Sequence, residues 1–149
     1  MSASIFVYFA VVDPLDASTM TYWRRIESGK RAGHIVEADA RYSKSIKDSD
    51  VPFPRGSAEA KAFIHAHFQR VRAARAAILA EIQADEAIAA VRFAQSCDRC
   101  FKCGRSITDP ESRVRGVGPE CFDSLAIEHR NHVARVTAEH HAAKIAGAL

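Results

Sequence analysis

The residues of this chain best equipped for chemistry are its four cysteines, and all of them lie in one stretch, CDRCFKCGRSITDPESRVRGVGPEC, which begins at Cys97. Cys97, Cys100 and Cys103 recur at every third position, and Cys121 follows after a loop. In a reducing compartment, thiols clustered in this way read as metal ligands rather than as a disulfide framework. Cys100-Phe-Lys-Cys103-Gly104 has the form of a zinc knuckle, two thiolates on a tight turn followed by a glycine that supplies unusual backbone angles. Gly118-Pro119 reads as a helix start, because proline at the first helical position loses an N–H that would have no partner there. Cys121 would then fall in the first turn of that helix, where free N–H groups favour a thiolate.

Three ligands are thus readily placed, and the fourth is argued by elimination. One turn beyond Cys121 stands Ser124, a poor zinc ligand. His129 is eight residues on, about 12 Å further along a helix. Cys97 is close in sequence and has the right chemistry, so the expected set is Cys97, Cys100, Cys103 and Cys121. Asp109, His34, His65 and His67 are the alternatives. The expected cofactor is a single structural Zn2+. An iron–sulfur cluster also accepts C-x-x-C-x-x-C with a remote cysteine, and small buried hydrophobes are the third reading of the four thiols. Four thiolates would close the coordination sphere, so the site is expected to hold a fold rather than to catalyse. H-E-x-x-H is absent, as is an H-x-E paired with P-C-x-x-C, and no nucleophile–base pair or phosphate loop is recognisable. An enzyme is therefore not expected, nor is a small-molecule substrate.

The segment from Cys100 to Cys121 resembles a short, uncharacterised zinc-ribbon-like domain of high-GC bacteria and their phages. The pattern is C-x-x-C-G-R, then Leu or Ile before T-D-P-x-S, then G-x-G-P-x-C. It is met by Cys100, Cys103, Gly104, Arg105, Ile107, Thr108, Asp109, Pro110, Ser112, Gly116, Gly118, Pro119 and Cys121. The resemblance covers about residues 95–125, implies three cysteine ligands and carries no established activity. Thr108-Asp109-Pro110-Glu111 reads as a turn, with Ser112 as a turn or capping hydroxyl.

The rest of the chain must position these residues. Its 149 residues, 48% hydrophobic and 26% charged, have the proportions of a folded soluble domain. SIFVYFAVV is a strand-like run bounded by Asp13-Pro14. MTYWRRI and HIVEADARY would make a hairpin across ESGKRAG, and Trp23 suits a core or cross-strand place. SIKDSDVPFPRGS is a polar connector. Ser57 is a plausible N-cap for a long helix whose buried stripe is Ala60, Ile64, Val71, Ala74, Ile78 and Ile82. Asp85-Glu86 opens a second helix ending near Ala94. The last helix is expected to run from Pro119 toward the C-terminus, burying Phe122, Leu125, Ala126, Val133 and Val136. The expected fold is therefore α+β: a small N-terminal β element with its connector (1–56), a helical middle (57–95), and an embedded treble-clef or ribbon-like zinc finger leading into a long C-terminal helix (96–149), all in one compact unit.

Charge and hydropathy limit the partners. The formal net charge of +3 permits nucleic-acid binding without requiring it. Lys102, Arg105, Arg113 and Arg115 surround the zinc loop, and Arg72 and Arg75 project from the long helix near Phe68, so these are the candidate contacts to nucleic acid or a nucleoprotein. The competing expectation is a protein-binding adaptor or inhibitor, for example a phage factor acting on a host protein, with a purely structural zinc site. No apolar run approaches the ~20 residues that span a bilayer, and the N-terminal apolar stretch lacks preceding basic residues, so a cytoplasmic location and no membrane partner are expected.

Overall fold

A computed structural model describes residues 5–38, 42 and 44–145, with side chains described as far as residue 142. Strand β1 (Tyr8–Asp13) and strand β2 (Asp16–Arg25) form an antiparallel hairpin, and β3 (Ile35–Glu37) pairs antiparallel on the far side of β2. The register sets Phe9 opposite Trp23 and Trp23 opposite Glu37. The β2–β3 hairpin across ESGKRAG is the expected one, whereas Asp39–Arg41 of the expected returning strand lie outside the described residues. The expected stop at Asp13-Pro14 holds: Asp13 ends β1 and its Oδ1 accepts the Leu15 N–H at 2.9 Å. What differs is that Pro14-Leu15 turns the chain directly into β2, which starts at Asp16, ahead of the expected Met20. Asp13 is fully buried, held by Tyr42 Oη at 2.8 Å and Lys44 Nζ at 2.6 Å.

Helix α1 (Ala58–Ala84) starts where expected, with the Ser57 hydroxyl accepting the Ala60 N–H. Its stripe is deepest in the second half: Ala74, Ile78 and Ile82 are buried, while Ile64 and Val71 are only half covered. Asp85 caps helix α2 (Glu86–Cys97), which runs three residues past Ala94 and buries most of its surface through Ala87, Ala89, Ala90, Val91, Phe93 and Ala94. This alanine-rich helix lies close against β1, since small side chains let backbones approach. It ends at Asp98, whose φ of 53° puts it in the left-handed region.

Two elements depart from expectation beyond the cysteine knuckle. Asp109-Pro110 opens a short helix, α3 (Pro110–Arg115), rather than a simple turn: Asp109 Oδ2 accepts the Ser112 N–H at 2.9 Å. The C-terminal helix is not continuous from Pro119. Helix α4 (Pro119–Asp123) stops, and α5 (Ile127–Ile145) begins after a break. Ser124 Oγ donates back to the Cys121 carbonyl at 2.7 Å, and the Arg130 guanidinium donates to the carbonyls of Asp123 and Leu125. These bonds replace helical ones and satisfy the orphaned carbonyls at the helix end. The break turns Leu125 into the core and leaves Ala126 exposed. The core joins Phe9 and Trp23 of the sheet, Ile78, Ile82 and Phe93 of α1 and α2, Phe101 and Val117 of the cysteine segment, and Val133 of α5. Among the described residues, no helix is long and apolar enough to cross a membrane.

Candidate metal centre

The knuckle is built onto the free edge of β1. The N–H groups of Val7 and Tyr8 donate to the Phe101 carbonyl at 3.1 and 2.8 Å, and the Phe101 N–H donates to the Gly116 carbonyl at 3.0 Å. The Phe101 ring is fully buried, 5.3 Å from Phe6, and its burial stabilises the fold by about 1.5–3 kcal/mol. The segment between two metal-ligand candidates is thus anchored by backbone bonds on one side and an aromatic plug on the other.

Within the knuckle, the Cys100 N–H donates to the Arg105 carbonyl and the Gly104 N–H to the Cys100 carbonyl, both at 2.8 Å. Gly104 has a φ of +77°, and a Cβ there would stand 2.8 Å from the Tyr8 ring. Glycine is required on both counts. Gly116 is constrained in the same way: at φ +77°, a Cβ would meet Ala94 Cβ at 2.9 Å. That close approach seats α3 against α2 and returns the chain through buried Val117 to Gly118, Pro119 and Cys121.

These constraints bring Cys100, Cys103 and Cys121 together, with their sulfur atoms all within 4.8 Å of one another. Three ligands of one zinc ion, each about 2.3 Å from the metal in tetrahedral geometry, would have sulfurs roughly 3.8 Å apart. Separations within 4.8 Å accommodate that geometry, so the donor set fits a single thiophilic ion. Cys100 is buried, Cys121 half-buried and Cys103 exposed. Burial alone opposes ionisation of Cys100, but N–H donors from Gly118, Cys103 and Lys102 outweigh it and hold the thiol below its usual range. Cys121 is pushed up to about 12 by its burial and by the adjacent Cys100 and Cys103. This reverses the expectation that its helix turn would favour the thiolate, because burial first, and the neighbouring sulfurs second, oppose ionisation. A cation between the thiols would relieve that repulsion.

Cys97, expected as the fourth ligand, does not join the cluster. It occupies the last turn of α2, where its thiol contacts the Phe93 carbonyl at 3.2 Å. Residues 97–100 do not form a second turn of knuckle, because α2 continues three residues further than its pattern implied. The alternatives stand elsewhere too: Asp109 caps α3, His67 Nε2 lies 2.5 Å from the Lys44 carbonyl, and His34 lines a separate hollow with Arg25 and Glu86. His65 is not part of the cluster either.

The basic candidates divide into two groups. The Arg115 guanidinium carbon sits over the Phe122 ring, 4.0 Å from its centroid, and the side chain pairs with Glu111 at 3.4 Å, while Arg75 pairs with Glu37 and covers Trp23 at 5.5 Å. Both hold the fold. Arg105 and Arg113 are exposed, Arg105 at the rim of the thiol cleft, and Arg113 spends one donor on the Ile107 carbonyl. Lys102 reaches Ser124 Oγ at 3.0 Å, and Arg72 is exposed on α1. Sequence reading passed over Arg99, whose Nε donates to the Gly104 carbonyl at 2.7 Å while its guanidinium covers Tyr8 and Phe93. The only signal for it was a cation two residues before a buried aromatic, which many surface arginines share.

A protein-family model matches this region. It is described as a family of unknown function, DUF6011, and it covers residues 90–125, from within α2 through the knuckle and α3 to just beyond Cys121. No curated protein and no solved structure matches the chain.

Proposed function

We propose that this protein is a zinc-dependent recognition module, without catalytic chemistry of its own, that binds the phosphate backbone of nucleic acid beside its metal centre. The observation that supports it is the position of the three-thiol cluster: it opens on a surface cleft whose rim carries Arg105. Zinc is favoured over an iron–sulfur cluster because sulfurs this close together suit one shared ion, whereas the cysteines of a four-iron cluster each serve a separate iron. The contact set is Arg105, Arg113 and Lys102, with Arg72 of α1 as a secondary contributor. Arg115 and Arg75 drop out, because their guanidinium groups are spent on internal partners.

The test is binding of the zinc-loaded protein to duplex DNA and structured RNA across a salt series. Each phosphate neutralised on B-DNA contributes about −0.9 to the slope of log K against log salt. The variant carrying Arg105→Ala and Arg113→Ala should bind more weakly with a slope shallower by about 1–2. Absence of binding at low salt would sink this reading. It would favour a protein-binding adaptor, for which the exposed Val12 and Leu15 at the tip of the β1–β2 hairpin supply apolar anchors.

A further inference from the structure

We infer that the metal centre keeps one coordination position for a ligand from outside the chain: water in the free protein, exchangeable for a neutral nitrogen donor. The inference rests on the proposed metal site and concerns what completes it. A single zinc ion takes four donors, and this site supplies three. Among the described residues, no further Cys, His, Asp or Glu brings a ligand atom within 4.8 Å of all three sulfurs. The sequence outside them contains one such side chain, Asp39. Glu120 lines the same cleft, yet its carboxylate is not part of the cluster.

The three cysteines also line one surface cleft. Cys103 is exposed, and the cluster opens on a hollow of about 430 Å³ walled by Arg105, Ser106, Ile107, Pro119 and Glu120. Phe101 and Val117, in the segments that carry Cys100 and Cys121, are fully buried. A fourth donor therefore approaches from the cleft. Charge decides its kind. A divalent ion on three thiolates already has a net charge of −1, so a neutral donor adds no repulsion, whereas a fourth thiolate would take the centre to −2. The same three anionic donors quench most of the ion's Lewis acidity, so the position takes a ligand rather than activating water.

Two measurements on the full-length protein test this. X-ray absorption at the zinc edge should count three sulfurs and one nitrogen or oxygen per ion in the loaded wild type. With cobalt in place of zinc, titrating imidazole should shift the visible ligand-field bands saturably, and the shift should be the same in Cys97→Ser. Four sulfurs in the wild type would overturn the inference while leaving the metal site intact, and loss of a sulfur in Cys97→Ser would name the missing ligand. A nitrogen or oxygen donor that imidazole fails to displace would also overturn it, because the chain itself would then hold that position. If the wild type retains no metal, the proposed metal site fails and takes the inference with it.

Discussion

Replacing Gly104 by alanine tests whether the knuckle is locked onto the sheet as described. Two costs add at this position. The backbone φ of +77° is one that L side chains rarely adopt, which costs about 1–2 kcal/mol. The new methyl would also stand 2.8–3.0 Å from three atoms of the Tyr8 side chain. That ring cannot swing aside freely, since it stacks on Phe93 at 5.1 Å and lies under the Arg99 guanidinium at 5.8 Å. Overpacking of this kind costs roughly 1–3 kcal/mol, so the total is about 2–5 kcal/mol. Gly33 provides the control: its φ is +89°, yet an added Cβ meets nothing within 4 Å, so Gly33→Ala carries only the backbone cost. Urea unfolding of the metal-loaded proteins reads the difference. With a slope of roughly 2 kcal/mol per M, Gly104→Ala should unfold at a midpoint about 0.5–1.5 M lower than Gly33→Ala. In a Tyr8→Leu background that extra loss should largely vanish. Equal midpoints for the two glycine variants would refute the close contact between knuckle and strand.

Two further substitutions probe the surroundings. Asp13→Asn should destabilise the protein by about 2–4 kcal/mol at neutral pH, because it leaves Lys44 without its buried counter-charge. Burial acts to raise the Asp13 value, but Lys44, the Leu15 N–H and Tyr42 together lower it below the unfolded 3.8. The stabilisation is therefore complete above that unfolded value and disappears as pH falls through the folded one. The gap between wild type and Asp13→Asn should close in acid, and a gap that persists below the folded value would contradict the assignment. Arg75→Ala should lower stability by about 0.5–1.5 kcal/mol and alter Trp23 emission, while leaving the salt slope of nucleic-acid binding unchanged. A changed slope with unchanged stability would return Arg75 to the binding surface.

The site was legible in sequence where short-range chemistry fixes it. Cys100, Cys103 and Gly104 declare a tight turn, and Gly118-Pro119 declares a helix start, so three donors could be placed from local rules alone. Cys97 misled because proximity in sequence stood in for geometry. Whether α2 ends at Ala94 or at Cys97 depends on how its last turn packs, and three residues of extra helix carry that thiol to the Phe93 carbonyl. The strands, Ser57 and the α1 stripe were readable from alternation and helical period. The break between α4 and α5 was not, since the apolar spacing of Phe122, Leu125 and Val133 suits a continuous helix. What ends α4 is a set of bonds from Ser124 and Arg130, and neither residue is a helix breaker by propensity. Arg75 and Arg115 looked like surface cations because their partners Glu37, Trp23 and Phe122 are joined to them by the fold and not by a pattern. The Phe101 plug was invisible for a related reason: one aromatic between two cysteines has no period.

Joint binding of one metal ion by Cys100, Cys103 and Cys121 is the proposal on which the others depend. Its most direct test is the metal content of the purified chain, read by native mass spectrometry for the wild type, for each of the three cysteine-to-serine variants, and for Cys97→Ser. One zinc per chain is expected in the wild type and in Cys97→Ser, with the ion lost or held far more weakly when any of the other three is changed. A wild type that folds to full stability without metal, or zinc retained undiminished by the Cys121→Ser protein, would contradict it.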